Sequence, residues 1–255
     1  MNFLSQIEDD FQHSIDLANI SMMEAVTNFM ESFGEFNYCT ESTSDSLVVK
    51  LKKFFADLVA SFKNFTSSIK IEVNKKLRDT AFKNKLRSLY KDAEAKQAAG
   101  VRKIEVVDIY SYLNEYLDAV SDLKSYAKKF SNMKYKHVKD IDDDTSDFNS
   151  LVEEYEKSLE QISKKKIKVK PSQLMAFIED EISGRSKVMV TLNDAITLFE
   201  HMKDDCSLLE TRREILGPDI IAKKVGLIRR VATRISSFIK RHVVKFISTI
   251  VLIVG

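Results

Sequence analysis

The chain has 255 residues, with 40 Lys and Arg against 38 Asp and Glu, a formal net charge of +2 and 44% hydrophobic residues. A chain of this length and balance can bury a real core, as one large domain or two small ones, and intrinsic disorder is not expected. Six glycines, two prolines and two cysteines are too few for the turns of a sheet-rich fold or for a disulfide scaffold, so long helices are predicted.

The first hundred residues carry the spacing of amphipathic helices. Apolar residues recur every three or four positions from Ile7 to Phe33, and Gly34 stands where a glycine would end that helix. A polar loop, 35–45, precedes a second helix whose apolar stripe starts at Leu47. An unbroken helix over 46–98 would be roughly 80 Å long. We therefore expect a break near 66–80, followed by a weaker helix that ends before Gly100.

The middle of the chain alternates short extended segments with helices. Residues 101–107 are rich in β-branched side chains, and 167–170 precede Pro171, so both are expected to be extended. Asp108 is predicted to be the N-cap of the first helix of this region, and a charged connection is expected at 131–144. The predicted helices cover 109–130, 148–162, 172–182 and 188–209.

These patterns predict an all-α protein, a multi-helix bundle of about six to eight helices. No internal repeat of fixed period is present, and no heptad pattern lasts long enough for a coiled coil. The expected division is an N-terminal helical part at 1–100, a second bundle part at 101–217, and a tail at 218–255 that begins at the Gly217-Pro218 punctuation.

The tail differs in charge from the rest of the chain. No acidic residue follows Asp219, whereas eight Lys and Arg do. The residues before Ile220 hold 32 basic and 38 acidic side chains, so an acidic body is joined to a tail of charge +8. This asymmetry indicates an anionic partner. The residues predicted to bind an anionic surface are Arg229, Arg230, Arg234, Lys240, Arg241 and Lys245.

On a helical projection the tail is amphipathic. The basic side chains fall within an arc of about 160°, and a wide apolar face occupies another part of the helix surface. The predicted apolar docking face consists of Ile228, Val231, Ile235, Phe238, Ile239, Phe246 and Ile250. The last residues, 246–254, are apolar on all sides. They could pack into the bundle, enter a membrane surface, pair as a strand with another copy or be the remnant of a cleaved precursor.

Three partners fit this tail: the protein's own bundle, an anionic membrane surface or partner subunit, and nucleic acid. The wide apolar face favours a membrane or a protein over nucleic acid, which needs mainly the positive charge. No segment of about 20 residues is apolar enough to span a bilayer, and the N-terminus lacks the features of a secretory signal. The expected location is therefore the cytoplasm, a membrane surface or a virion.

Two groups of residues contain side chains that could bind a metal ion or act as a nucleophile. Residues 142–153 place oxygen atoms at several calcium-loop positions, but Asp147 stands where glycine is required, so carboxylates at a helix N-terminus are the preferred interpretation. His201 and Asp205 are one helical turn apart, while Cys206 falls on an apolar stripe and is expected to be a buried thiol. We predict no catalytic residue, metal site or cofactor.

The sequence thus predicts a non-enzymatic structural or interaction protein whose basic tail docks on a membrane surface or partner subunit. The alternative is a virion or phage assembly component that meets nucleic acid or neighbouring copies through the same tail. Self-association through the C-terminal segment is expected under either hypothesis.

Overall fold

A computed structural model of the protein describes residues 43–72, 103–132, 138–182, 186–211 and 218–254, together with scattered positions between 80 and 95. The predicted helix from Ile7 to Phe33, the residue Cys39 and most of the predicted helix before Gly100 lie outside the described residues. Within the described ranges the chain forms six helices and one pair of short strands, so the prediction of an all-α bundle is confirmed.

In chain order the elements are α1 (Thr43–Glu72), β1 (Ile104–Val107), α2 (Ile109–Asn132), α3 (Val138–Lys164), β2 (Lys166–Val169), α4 (Pro171–Ile182), α5 (Lys187–Thr211) and α6 (Pro218–Val254). The tail is thus a single helix of 37 residues up to Val254. Its last residues are helical, and the strand considered for 246–254 is not formed.

The start of α2 confirms the predicted N-cap. The Asp108 Oδ1 atom accepts a hydrogen bond of 3.1 Å from the Ser111 N–H, and α2 begins at the next residue, Ile109. The Lys165 ammonium lies 3.2 Å from Asp108 Oδ2. Burial of the carboxyl opposes ionisation, but the hydrogen bonds from Ser111 and the Lys165 charge outweigh it, and the pKa of Asp108 is lowered.

The two segments predicted to be extended pair with each other. Strands β1 and β2 are antiparallel, with Ile104 opposite Val169 and Val107 opposite Lys166. The strand pairing continues for one more residue, because the Asp108 N–H donates a hydrogen bond of 2.9 Å to the Lys165 carbonyl. The sequence predicted each strand by itself but not their pairing, because nothing local in either segment identifies its partner.

The prediction of a charged connection at 131–144 is wrong for residues 138–144. Helix α3 begins at Val138 and runs through the Asp142-Asp143-Asp144 cluster. Carboxylates are favourable in the first turns of a helix because they interact with its positive end, so a run of Asp does not by itself indicate a loop. Residues 142–153, which were compared with a calcium-binding loop, are therefore helical.

The described residues fall into two compact units, each of which draws on several parts of the chain. The first unit comprises 43–65, 121–132, 138–153, 194–211 and 218–238; the second comprises 66–72, 103–120, 154–182, 186–193 and 239–254. Each unit therefore contains residues from all three segments into which the sequence was divided. Helix α6 contributes its first half to the first unit and its second half to the second unit.

Each unit has an aromatic core of its own. In the first unit the rings of Phe62 and Phe199 meet edge to face with centroids 5.4 Å apart, and Phe130 packs on Phe148 at 6.1 Å. In the second unit the ring of Phe246 on α6 stacks on Tyr112 of α2 with centroids 6.5 Å apart and meets Phe177 of α4 edge to face at 6.3 Å. Phe177 also packs on Tyr110 of α2, with centroids 4.4 Å apart. Edge-to-face and tilted aromatic pairs contribute beyond the area that they bury.

Candidate functional site

The candidate site is α6, because it carries every residue predicted to dock. Its predicted apolar face is buried in both units. None of the seven side chains is more than 3% exposed: Ile228, Val231, Ile235 and Phe238 in the first unit, and Ile239, Phe246 and Ile250 in the second. The surface that these residues cover is thus provided by the protein's own helices.

The outward basic residues of α6 meet a polar row on α3. In the first unit Lys223 Nζ lies 2.7 Å from Asp142 Oδ2, and the Arg234 guanidinium donates a hydrogen bond of 2.6 Å to Asn149 Oδ1. Asp142 and Asn149 are seven residues apart on α3 and therefore lie on the same side of that helix. Asp142 offsets the charge of Lys223, whereas the amide of Asn149 leaves the charge of Arg234 in place.

The second unit repeats this arrangement. Arg241 Nη1 lies 2.8 Å from Glu156 Oε1, and Glu156 is seven residues beyond Asn149. One turn further along α3, the pKa of Glu160 is lowered by its hydrogen bond with Lys164 and, to a lesser extent, by the charge of Lys245. Thus in each unit α3 supplies acidic or amide groups to the basic side of α6.

The two adjacent arginines of α6 have different environments. The Arg229 guanidinium lies over the Phe54 ring of α1, 5.8 Å from its centroid, where burial lowers its pKa. Arg230 is exposed and makes no hydrogen bond or ion pair with any described residue. Of these two arginines, Arg230 is therefore the one whose charge faces solvent without a hydrogen bond or ion pair to a described residue.

Lys240 does not lie on the exposed basic row, contrary to its predicted role. Its side chain is 4% exposed, within the second unit. Burial disfavours the charged ammonium and lowers the pKa of Lys240 to about 8. The helical projection placed Lys240 near the edge of the basic arc, and that edge is covered by other helices. An anionic surface cannot reach this ammonium while α6 remains packed.

The second half of α6 also carries a buried histidine that the sequence analysis did not assign to any role. His242 Nδ1 and the Tyr112 hydroxyl of α2 share a hydrogen bond of 2.7 Å. Burial, together with the positive charges of Arg241 and Lys245, lowers the pKa of His242 to about 4. Burial raises the pKa of Tyr112. At neutral pH both groups are uncharged, and they join α2 to α6.

The remaining candidate groups have structural contacts. The Cys206 thiol is fully buried and donates to the Met202 carbonyl at 3.1 Å, as expected for a packed thiol. His201 is exposed on α5. Among the residues with described coordinates, no three His, Cys, Asp or Glu side chains are grouped closely enough to hold a metal ion. None of the described helices is both long enough and apolar enough to cross a membrane.

Comparison with known proteins adds no relative. No family model matches the chain, and neither the curated proteins nor the solved structures contain a significant match. The functional argument therefore depends on the geometry of α6 and of the helices around it.

Proposed function

We propose that the protein is a non-enzymatic structural protein that assembles by docking α6 on a helical bundle, either that of its own chain or that of a second copy. The observation that carries this proposal is the combined burial and pairing of α6. Its predicted apolar face is covered in both units, and its outward basic residues meet Asp142, Asn149 and Glu156 of α3. The anionic partner implied by the tail's charge is then this face of α3.

The apolar contacts favour docking over release. Thirteen apolar side chains of α6 are buried, namely Ile221, Val225, Leu227, Ile228, Val231, Ala232, Ile235, Phe238, Ile239, Val243, Phe246, Ile247 and Ile250. At about 1.5–3 kcal/mol for each large side chain, exposing this set costs roughly 20–35 kcal/mol. That exceeds the net stability of a typical domain, about 5–15 kcal/mol. We therefore expect α6 to leave its site only when another surface buries the same side chains.

A second copy of the chain provides such a surface. When identical chains exchange an element, every contact of that element is reproduced between the copies, so the exchange costs little. In such an assembly Arg241 of one copy would pair with the partner's α3. This interpretation combines the predicted structural role with the predicted self-association through the C-terminal segment.

Charge reversal tests the docking contact. In the full chain, Arg241→Glu places two carboxylates together and Glu156→Arg places two guanidinium groups together, so each variant is expected to lose about 0.5–1 kcal/mol of unfolding free energy. The double variant restores an opposite pair and should recover most of that loss. Urea unfolding of the four proteins gives the coupling energy. A double variant that is as unstable as the sum of the two single variants would contradict the docking contact.

The oligomeric state separates the two kinds of docking. The two single variants, mixed after unfolding and refolded together, should form mixed dimers if α6 is exchanged between copies. Light scattering after size-exclusion chromatography measures the mass of each species. A wild-type chain that remains monomeric at high concentration would restrict docking to the protein's own bundle.

Membrane docking is the competing proposal, and it predicts a different result. Removal of residues 218–255 would take away much of both cores, so the test should use the intact chain. We expect the folded wild-type protein to remain in solution with both phosphatidylserine and phosphatidylcholine vesicles after centrifugation. Pelleting with phosphatidylserine vesicles alone, lost in Arg230→Glu, would contradict our proposal and support a membrane surface as partner. Arg230 is suitable because it is exposed and makes no hydrogen bond or ion pair with the described residues.

A further inference from the structure

Strand β2 lies within the most lysine-rich segment of the described chain. Five of the seven residues from Lys164 to Lys170 are lysines, and none is acidic. Two of these lysines have acidic partners: Lys164 pairs with Glu160 at 2.7 Å and Lys165 with Asp108 at 3.2 Å. The other three are exposed, and their side chains make no hydrogen bond or ion pair with a described residue: Lys166, Lys168 and Lys170.

The same three residues direct their main-chain groups away from β1. In an antiparallel pair, hydrogen-bonded and non-hydrogen-bonded residue pairs alternate. The Asp108 N–H donates to the Lys165 carbonyl, so the register makes Ile167 and Val169 the inward-bonding residues of β2. The N–H and carbonyl groups of Lys166 and Lys168, and the N–H of Lys170, therefore point outward.

No strand among the described residues pairs with the outer edge of β2, and this edge carries a lysine at every second residue. Glu105, the one acidic residue of β1, lies directly opposite Lys168 on the same face of the sheet and partly offsets its charge. Lys166 lies opposite Val107, whose side chain is uncharged. An unpaired edge is a template for another strand. Lysines on an edge disfavour pairing with an identical strand, because like charges would lie opposite each other. They favour a strand that carries acidic residues at every second position.

We propose that the outer edge of β2, from Lys166 to Lys170, binds an extended acidic segment of a partner protein as a third strand. The main-chain groups of the partner satisfy the outward N–H and carbonyl groups, and its carboxylates pair with the lysine side chains. Nucleic acid and a lipid headgroup would also attract the lysines, but neither carries a peptide backbone that matches the strand edge. This site is separate from α6 and does not depend on how α6 docks.

The test uses a fluorescently labelled, capped peptide, Glu-Val-Glu-Val-Glu, and the full-length protein, with binding measured by fluorescence anisotropy. Only one edge of an added strand faces β2. We therefore expect N-methylation of one alternate set of residues, either all Glu or all Val, to weaken binding by about ten-fold or more, since hydrogen bonds are lost. The other methylated peptide should bind nearly as well as the parent. Equal binding of the two methylated peptides would overturn the proposal.

The lysines are tested with a matched pair of variants. Lys166→Gln/Lys168→Gln should weaken peptide binding by about ten-fold, because two exposed ion pairs are lost. Lys139→Gln/Lys157→Gln removes the same charge from exposed positions of α3 and should change binding by less than two-fold. An oligothymidylate of similar charge serves as the competing ligand. Equal loss in both variants, no binding of the parent peptide, or tighter binding of the oligonucleotide would each overturn a strand-pairing site.

Discussion

Replacement of the buried lysine of α6 should stabilise the protein at neutral pH. The pKa of Lys240 falls from its usual 10.5 to about 8 because burial penalises the charged ammonium. A tenfold change in proton affinity corresponds to about 1.4 kcal/mol, so the charged form costs the folded state about 3 kcal/mol at pH 7. Lys240→Met keeps the length of the side chain and removes the charge. We expect the unfolding free energy to rise by about 1–3 kcal/mol. Any stabilising contact that the ammonium makes in the wild type reduces this gain.

The pH dependence of the stability gained in Lys240→Met shows whether the buried charge is its cause. Between about pH 8 and pH 10.5 the unfolded chain holds a proton on Lys240 that the folded protein has released. The wild-type protein therefore gains stability from this residue as the pH rises through that window, whereas the methionine variant does not. The difference between the two proteins should be constant below pH 8 and should shrink towards pH 10.5.

Urea unfolding followed by circular dichroism, at several pH values from 7 to 10, measures this difference. All other ionisable groups are common to both proteins, so their contributions cancel in the comparison. Lys157→Met is a suitable control because Lys157 is exposed on α3 in the same unit. A difference between wild type and Lys240→Met that stays the same at pH 7 and pH 10 would refute the assignment of the cost to the buried charge.

Two further predictions concern α6. His242 remains neutral in the folded protein down to about pH 4, while the unfolded chain takes up a proton near pH 6.5, so the wild type should lose up to about 3 kcal/mol as the pH falls through this window. His242→Phe should lower the pH midpoint of acid unfolding, and an unchanged midpoint would count against this explanation. Gly226 lies inside α6, and an added Cβ would meet no atom within 4 Å. Gly226→Ala should therefore raise the unfolding free energy by about 0.5–1 kcal/mol in urea titrations, and a loss of stability would show that this site is not open.

Much of the secondary structure could be predicted from local patterns. Asp108 was identified as a helix cap because Asp is a preferred N-cap residue and because apolar residues at helical spacing follow it directly. The extended segments before Asp108 and Pro171 were also found. The start of α3 was missed, because Asp142 and its acidic neighbours occur both in loops and in first helical turns. The position of Lys240 was missed because a projection of one helix does not show which sides its neighbours cover.

The helix that pairs with the outward basic residues of α6 could have been predicted from the sequence but was not recognised. Arg234 and Arg241 are seven residues apart, as are Asn149 and Glu156 on α3. When hydrogen-bond donors on one helix and acceptors on another recur at the same seven-residue spacing, the two helices can lie side by side. The pairing itself depends on which helices the fold brings together, and that is decided by apolar burial along the whole chain rather than by the charges.

The burial of α6 has a consequence for biosynthesis. This helix follows all of its described packing partners in the chain, so during translation the apolar faces of α1 to α5 emerge before the helix that covers them. At about 5–20 residues per second, the 37 residues of α6 need roughly 2–7 s of further synthesis. Throughout that interval the nascent chain exposes the apolar surface that α6 later covers, and exposed apolar surface of this kind is prone to aggregation. We therefore expect a chain that ends early within α6 to leave part of this surface uncovered and to aggregate more readily than the full chain.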